Sequence, residues 1–258
     1  MSVRKHHQIR HLTVIPTAEK PRDQIGDSSG YAMFSTGEDG DIHVVAHRML
    51  DAGNNKLGQT LLGDWLDSHS GSGSKWAHLQ WHMAVFDLSL GHWNAALARF
   101  RTHILPVVAS SFDALTDAPA LLWRLSLAAD APVVLPWEPV RLRALASMKT
   151  PRSDFVEIHN LLALAGAQDF VNLERWLQRR RFSACSRSEA IVFRIATALR
   201  ALINGSYETA ATTFESVMPY VGEIGGSRAQ NDLFRQLRES AQRLANTSES
   251  LAHELKVA

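Results

Sequence analysis

Apolar residues recur with a helical period along this chain from Asp41 onward, in stretches of ordinary helix length. Short connections with helix-stop residues, such as Gly53-Asn54, Gly91 and Gly205, separate these stretches, and strand patterns are nearly absent. The predicted helices span residues 41–52, 55–68, 75–90, 92–109, 117–129, 138–148, 153–165, 168–180, 187–204, 206–218 and 226–254. Because short connections favour helices that pack on their neighbours, we expect an all-α fold of stacked antiparallel helix pairs.

Two stretches share a repeat-like layout in which a glycine ends one helix and small residues open the next. In LSLGHWNAALARF, Gly91 is followed by a tryptophan, paired alanines and Phe100, and INGSYETAATTFESVMP repeats this order from Gly205. Tetratricopeptide repeats use small residues in this way to seat one helix against the next. The sequence therefore predicts a tetratricopeptide-like helical-hairpin solenoid with an inner cavity over residues 41–258, after an irregular leader over residues 1–40.

The composition excludes several classes of protein. Hydrophobic residues make up 45% of the 258 residues and charged residues 21%, as is typical of a globular domain. The formal net charge of +1 gives no attraction to nucleic acid or to an anionic membrane, and no apolar run approaches the roughly 18 residues of a membrane span. The single cysteine, Cys185, excludes an intramolecular disulfide and fits a reducing compartment. We expect a cytoplasmic protein with no nucleic-acid or membrane partner.

Two His-xxx-His pairs are the strongest candidates for chemistry. His43 and His47 lie in one predicted helix, and His78 and His82 lie in another. Residues four apart on an α-helix project from the same face, so each pair presents two imidazoles to one neighbour. We expect both pairs to line one shared cavity, together with His159.

Four imidazoles with this spacing can bind zinc, iron, copper or nickel, and Asp117, Glu157 or His159 can complete the shell. Alternatively, they form a metal-free acid–base or ligand pocket, or they hydrogen-bond across buried helices and only specify packing. No carboxylate or thiolate stands in clear helical register with either pair. We therefore expect no tightly held metal and no cofactor.

Asp117 and Arg124 belong to one predicted helix. Asp117 stands two residues before Pro119, and its expected role is that of an N-cap or first-turn carboxylate. Arg124 lies two turns further along the same face among apolar residues, where we expect an internal ion pair rather than a substrate clamp. In FVEIHN, Glu157 and His159 point to different sides of a helix, so only one of them faces the interior.

The last predicted helix follows Gly225-Gly226-Ser227. We expect Ser227 to be its N-cap, and the alternative is an anion site formed by the backbone N–H groups beside Gln230. Trp81 is expected to pack between helices, although its place beside His82 also allows it to line a pocket wall.

In order along the chain, these segments resemble the tetratricopeptide repeat protein 38 family. The stretches that carry the resemblance are HVVAH at 43–47, HLQWHMAVFDLSLGHWNAALARF at 78–100, TDAPALLWRL at 116–125, DFVEIHNLLALAGA at 154–167 and IGGSRAQNDLFRQ at 224–236. Members of this family are usually longer, with a further helical half where this chain has its predicted leader. The resemblance implies a helical-repeat fold and favours His159 as the interior residue, but it implies little about activity.

The leading function hypothesis is a binding or scaffold module whose His-rich inner groove accepts a small molecule or a peptide segment. The alternative is an enzyme that uses the same pocket for acid–base or metal-assisted chemistry. The candidate catalytic residues are His78, His82, His159 and Asp117, and the candidate ligand-binding residues are His43, His47, Trp81, Arg124, Ser227 and Gln230. A third hypothesis is a homo-oligomer in which these polar residues only specify packing. We expect self-association, with a homodimer as its simplest form, through the first hairpin.

Overall fold

The computed structural model describes residues 38–129, 131, 133–181 and 186–257. These residues are mostly helical and contain no strand, which confirms the all-α prediction. The helices are α1 (Glu38–Asp51), α2 (Asn55–Ser68), α3 (Gly73–Ser89), α4 (Trp93–Arg99), α5 (Leu105–Ser110), α6 (Ala118–Leu127), α7 (Trp137–Ser147), α8 (Asp154–Gly166), α9 (Phe170–Arg180), α10 (Arg187–Ile203), α11 (Tyr207–Val217) and α12 (Arg228–Val257). In the described part of the chain, no helix is both long and apolar enough to cross a membrane. Cys185 and residues 1–37 of the predicted leader lie outside the described residues.

The observed helix boundaries lie close to the predicted ones, with two differences. Helix α1 already begins at Glu38, within the predicted leader. The stretch predicted as one helix over 92–109 consists of α4 and α5, which are joined by a π turn at Phe100–Ile104. Pro106 has no N–H to donate to the regular α-helical ladder, which accounts for the wider turn just before it.

Three clusters of buried apolar residues hold the helices together. The two larger ones lie mainly among α8–α12 and among α3–α7. The smallest lies between α1, α2 and α3, and its buried members are Ala46, Leu62, Leu66, Leu79, Met83 and Phe86. Helix α12 packs on α6 and α11 and also contacts α1. Because the apolar cluster at α1 is small, polar side chains contribute much of the buried interface between α1 and α3.

Helix α2 lies very close to its neighbours at Gly58. A Cβ atom at this position would collide with the ring of Phe86 on α3 and would lie 2.8 Å from the Cβ of Met49 on α1. A residue without a side chain is therefore needed where the three helices meet. This close approach places the α1–α2 hairpin against α3, so that the histidines of α1 lie opposite those of α3.

Gly226, which precedes α12, is constrained in two ways. Its φ of +82° is left-handed, and a Cβ atom there would collide with the ring of Phe155 on α8. We expect Gly226→Ala to lower the free energy of unfolding by about 2–5 kcal/mol, because left-handed strain of about 1–2 kcal/mol adds to overpacking of about 1–3 kcal/mol. Urea unfolding measures this loss.

The matched control for this substitution is Gly205→Ala. Gly205 has a similar φ of +75°, but a Cβ atom there would meet nothing within 4 Å. Only the backbone strain remains at this position, so we expect a loss of about 1–2 kcal/mol. Equal losses in the two variants would contradict the steric contribution of Phe155.

Candidate functional site

The two histidine pairs meet across the interface between α1 and α3. Nε2 of His43 lies 2.9 Å from Nε2 of His47 and 3.1 Å from Nε2 of His78. Nε2 of His82 also lies 3.1 Å from Nε2 of His78. One possible ligand atom from each of the four residues lies within 4.8 Å of the other three. We call these four residues the histidine cluster.

The histidine cluster is buried, and its residues are only 0% to 4% exposed. Burial, followed by the proximity of His78 and His47, lowers the pKa of His43 to about 2. Burial and the same neighbours also lower the pKa of His82 well below its ordinary value. His43 and His82 are therefore neutral near pH 7. A neutral imidazole carries a lone pair, which is the form that binds a metal.

Asp117 fixes the orientation of His78. Oδ2 of Asp117 lies 2.8 Å from Nδ1 of His78. A carboxylate only accepts hydrogen bonds, so Nδ1–H of His78 donates, and the neutral tautomer with this hydrogen has its lone pair on Nε2, inside the histidine cluster. The capping hydrogen bond expected of Asp117 is not formed, although this residue directly precedes α6. A capping residue usually has an extended backbone, whereas Asp117 has a helical one, with a φ of −96° and a ψ of −46°. Its carboxylate turns toward His78 on α3 instead.

The histidine cluster has more close nitrogen contacts than its hydrogens can satisfy. Each nitrogen of a neutral imidazole offers either one hydrogen or one lone pair in the ring plane. Because His78 offers a lone pair, its contacts require Nε2–H groups on both His43 and His82. The single hydrogen on Nε2 of His43 must then serve His47 as well as His78. No arrangement of hydrogens in neutral rings makes all three contacts full hydrogen bonds.

Trp81 continues the stack from His78 toward α6. Its indole lies parallel to the His78 ring, with the ring centres 5.6 Å apart and an angle of 8° between the planes. The guanidinium of Arg124 also lies over the indole, 5.6 Å from its centre. Trp81 is fully buried, so it acts as the expected packing residue between helices and not as an open pocket wall.

Arg124 is also buried, but its partners differ from the expected ones. Its guanidinium donates to the carbonyl oxygen of Ala120 on its own helix and to those of Ala229 and Gln230 at the start of α12. The expected ion pair within 4.0 Å does not occur among the described residues, because the first turn of α12 reaches the guanidinium more closely than a carboxylate does. Burial lowers the pKa of Arg124 to about 10, and the charges of Asp232 and Asp117 oppose this shift. Arg124 therefore stays charged near pH 7.

His159 is not a member of the histidine cluster. It is buried on α8, where Nδ1–H donates to the carbonyl oxygen of Phe155 at 2.7 Å. Burial lowers the pKa of His159 to about 4, against opposing effects of the Phe155 carbonyl and the Asp117 carboxylate. Glu157 points away and accepts a hydrogen bond from the indole N–H of Trp176. The structure thus brings together four of the five histidines that were expected to line one cavity, and His159 faces the interior as predicted.

Ser227 and Gln230 begin α12. Gln230 N–H donates to Oγ of Ser227 at 3.2 Å, and Ser227 N–H donates to Oε1 of Gln230 at 2.9 Å. This reciprocal pair is a capping box, which confirms the N-cap expected at Ser227. The polar side-chain atoms of both residues therefore serve the start of the helix.

Sequence reasoning missed the residues that continue the two histidine faces. Leu50 lies seven residues after His43 on α1, and Val85 lies seven residues after His78 on α3. Together with the start of α12, they line a cavity of about 500 Å³ next to the histidine cluster. Extending the helical pattern from i and i+4 to i+7 would have identified both residues.

Comparison with known proteins gives no assignment for this chain. Neither the models of known protein families nor the solved structures match it. The resemblance to the tetratricopeptide repeat protein 38 family therefore stays a prediction.

Proposed function

We propose that this protein binds one divalent first-row transition metal ion at the histidine cluster. The observation that carries the proposal is the shortage of hydrogens there, because three close Nε2 contacts share two usable hydrogens. An ion between the rings would instead take one lone pair from each. Nitrogen atoms that bind one ion tetrahedrally at about 2.0–2.1 Å lie about 3.3–3.4 Å apart. Three of the six observed separations, at 2.9–3.1 Å, are slightly shorter than this, and all four ligand atoms lie within 4.8 Å of one another.

The ligand chemistry favours zinc, nickel, copper, cobalt or iron over magnesium or calcium, since these last two prefer oxygen ligands. The carboxylate of Asp117 supports the proposal. Histidines that bind metal usually donate their second N–H to a carboxylate or carbonyl oxygen, as His78 does to Asp117. This proposal departs from the expectation of no tightly held metal, which rested on the lack of a carboxylate or thiolate in register. In the structure, the second pair of imidazoles supplies the remaining ligands in place of a carboxylate or thiolate. The carboxylate that supports His78 is that of Asp117, 39 residues further along the chain.

A structural role for the ion fits this ligand set best. Four protein ligands close a tetrahedral site, whereas catalytic zinc sites keep one position open for water. The ion would join α1 to α3 where the apolar cluster is smallest. We therefore assign to the protein the role of a tetratricopeptide-like binding module whose first hairpin is held by a metal ion. The enzyme alternative requires a further coordination position on the ion.

The test is the metal content of untagged protein that is purified without chelators. We expect about one equivalent of a first-row transition metal per chain by elemental analysis. Cobalt added to EDTA-treated protein is expected to give visible absorption bands of a nitrogen-ligated site and to saturate at one equivalent. A protein that is purified metal-free and takes up neither zinc, nickel nor cobalt stoichiometrically would show that the histidine cluster serves packing alone.

Two variants separate this site from adventitious binding to surface histidines. His82→Gln removes one ligand and is expected to abolish the cobalt bands. His92→Gln changes a histidine whose side chain is 55% exposed, so cobalt uptake is expected to stay at one equivalent. Uptake that falls equally in both variants would argue against the histidine cluster as the site.

A further inference from the structure

The faces of α1 and α3 that carry the histidine cluster also form the walls of a groove. Leu50 and Asp51 continue the face of α1, Val85 continues the face of α3, and the first turns of α12 close the third side. We call this cavity of about 500 Å³ the α12 groove. Its size lies within the range of about 300–1,000 Å³ that is common for small-molecule sites.

Arg124 supplies a buried positive charge to the wall of the α12 groove. It is 4% exposed, and its Nε has no hydrogen-bond partner among the described residues. Its other nitrogens donate to uncharged carbonyl groups, including that of Ala229 in the first turn of α12. The start of a helix carries a partial positive charge, so Arg124 adds to a positive potential that an anion would offset.

The other charges of the α12 groove leave a positive surplus near the start of α12. Arg235 is already paired with Asp232 at 2.7 Å and with Glu239 at 2.7 Å. Arg228 is exposed, and no ion pair of it is found in the described ranges. Asp51 also lines the groove, so three guanidinium groups and two carboxylates face it, which leaves one net positive charge. The exposed guanidinium group of Arg228 is therefore open to an occupant, and the buried one of Arg124 contributes its charge from the wall of the groove.

We infer that the α12 groove binds a small organic anion, whose carboxylate or phosphate group lies at the start of α12 between Arg124 and Arg228. Charge-assisted hydrogen bonds from guanidinium groups are the usual means of holding these oxyanions. The apolar walls formed by Leu50 and Val85 fit the uncharged part of such a ligand. The inference rests on the groove and does not require the metal. Leu50 and Val85 each lie three residues, about one helical turn, beyond the last histidine of their helix.

Isothermal titration at constant ionic strength tests the inference with three probes: malonate, inorganic phosphate and malonamide. Malonate and malonamide have the same carbon skeleton, but only malonate is charged. We expect saturable binding of at least one of the two anions and none of malonamide. Stronger binding of malonate would identify a carboxylate ligand, and stronger binding of phosphate would identify a phosphate ligand. Binding of malonamide as tight as that of malonate would overturn the inference.

Arginine variants locate the binding site. Arg228→Gln removes an exposed charge from the groove and is expected to weaken anion binding about 10-fold or more. Arg238→Gln removes an arginine of the same helix that pairs with Glu215 outside the α12 groove, so binding is expected to be unchanged. Arg124→Lys keeps the charge but loses the planar fork, and it is expected to weaken binding as well. Equal affinities of the Arg228→Gln and Arg238→Gln variants would overturn the inference.

The same titrations on EDTA-treated and zinc-loaded protein separate this inference from the proposed metal site. Anion binding is expected in both forms, and it is expected to be tighter in the zinc-loaded form because of the added positive charge. If neither form binds malonate or phosphate, the anion site is wrong. The metal content of the protein is an independent measurement and is unaffected by that result.

Discussion

Zinc is expected to raise the free energy of unfolding of EDTA-treated protein by about 4 kcal/mol when free zinc exceeds its dissociation constant 1,000-fold. An ion that binds the folded chain at the histidine cluster, and the unfolded chain much more weakly, must shift the equilibrium toward the folded state by this amount. The size of the effect is set by the ratio of free zinc to its dissociation constant, so it is expected to grow with the logarithm of the zinc concentration. Urea unfolding at a series of free zinc concentrations measures it.

The control variants of this experiment are again His82→Gln and His92→Gln. Without His82 the dependence of unfolding on zinc is expected to disappear, whatever the stability of the metal-free variant. Without the exposed His92 it is expected to remain as in the unchanged protein. A stabilisation by zinc that survives the loss of His82 would place the ion elsewhere.

Acid is expected to remove about 3 kcal/mol of stability from the metal-free protein through His159 alone. The pKa of this residue is about 4 in the folded chain, compared with an ordinary value of 6.5, because the ring is buried. Between these two values the unfolded chain binds the proton and the folded chain does not. The free energy of unfolding therefore falls as the pH drops from 6.5 toward 4, and above 6.5 the contribution is constant. Urea unfolding between pH 7.5 and pH 4, in EDTA and at about one-unit steps, measures this slope.

The variant His159→Asn isolates this contribution, because its side chain does not titrate in the window. Its stability is expected to fall less steeply with decreasing pH than that of the unchanged protein, even if it is less stable at pH 7. The charged groups that affect His159 are Asp117 and Arg124, and both are retained. His92→Asn is the matched control at an exposed position, and its slope is expected to be that of the unchanged protein. Parallel slopes for all three proteins would contradict a depressed pKa at His159.

The helices of the fold were predictable from the sequence because helical periodicity and glycine stops are local signals. Gly53, Gly91 and Gly205 were predicted to end helices, and all three have the left-handed φ that is common just after a helix. The π turn was not predictable, since it depends on how the chain accommodates Pro106 within a helix that continues on both sides. The packing of α12 on α6 and α1 also lay beyond the local signals, because it joins segments that are far apart in the sequence.

The candidate site was predictable only within each helix. The spacing of His43 and His47, or of His78 and His82, fixes which atoms share a face, but it does not say which helices meet. Asp117 illustrates the limit, because its position before α6 indicated a cap, whereas the tertiary fold uses its carboxylate to orient His78. Arg124 is a second case, since the carbonyl groups that it binds belong to the distant start of α12.

The shared faces of α1 and α3 make the two proposed sites thermodynamically dependent on each other. The histidine cluster and the α12 groove both require α1 to be docked on α3, and Leu50 and Val85 belong to the same helix faces as the histidines. Binding free energies form a closed cycle, so the factor by which the metal ion tightens the binding of an anion equals the factor by which the anion tightens the binding of the ion. A change in the concentration of either ligand therefore shifts the occupancy of the other site.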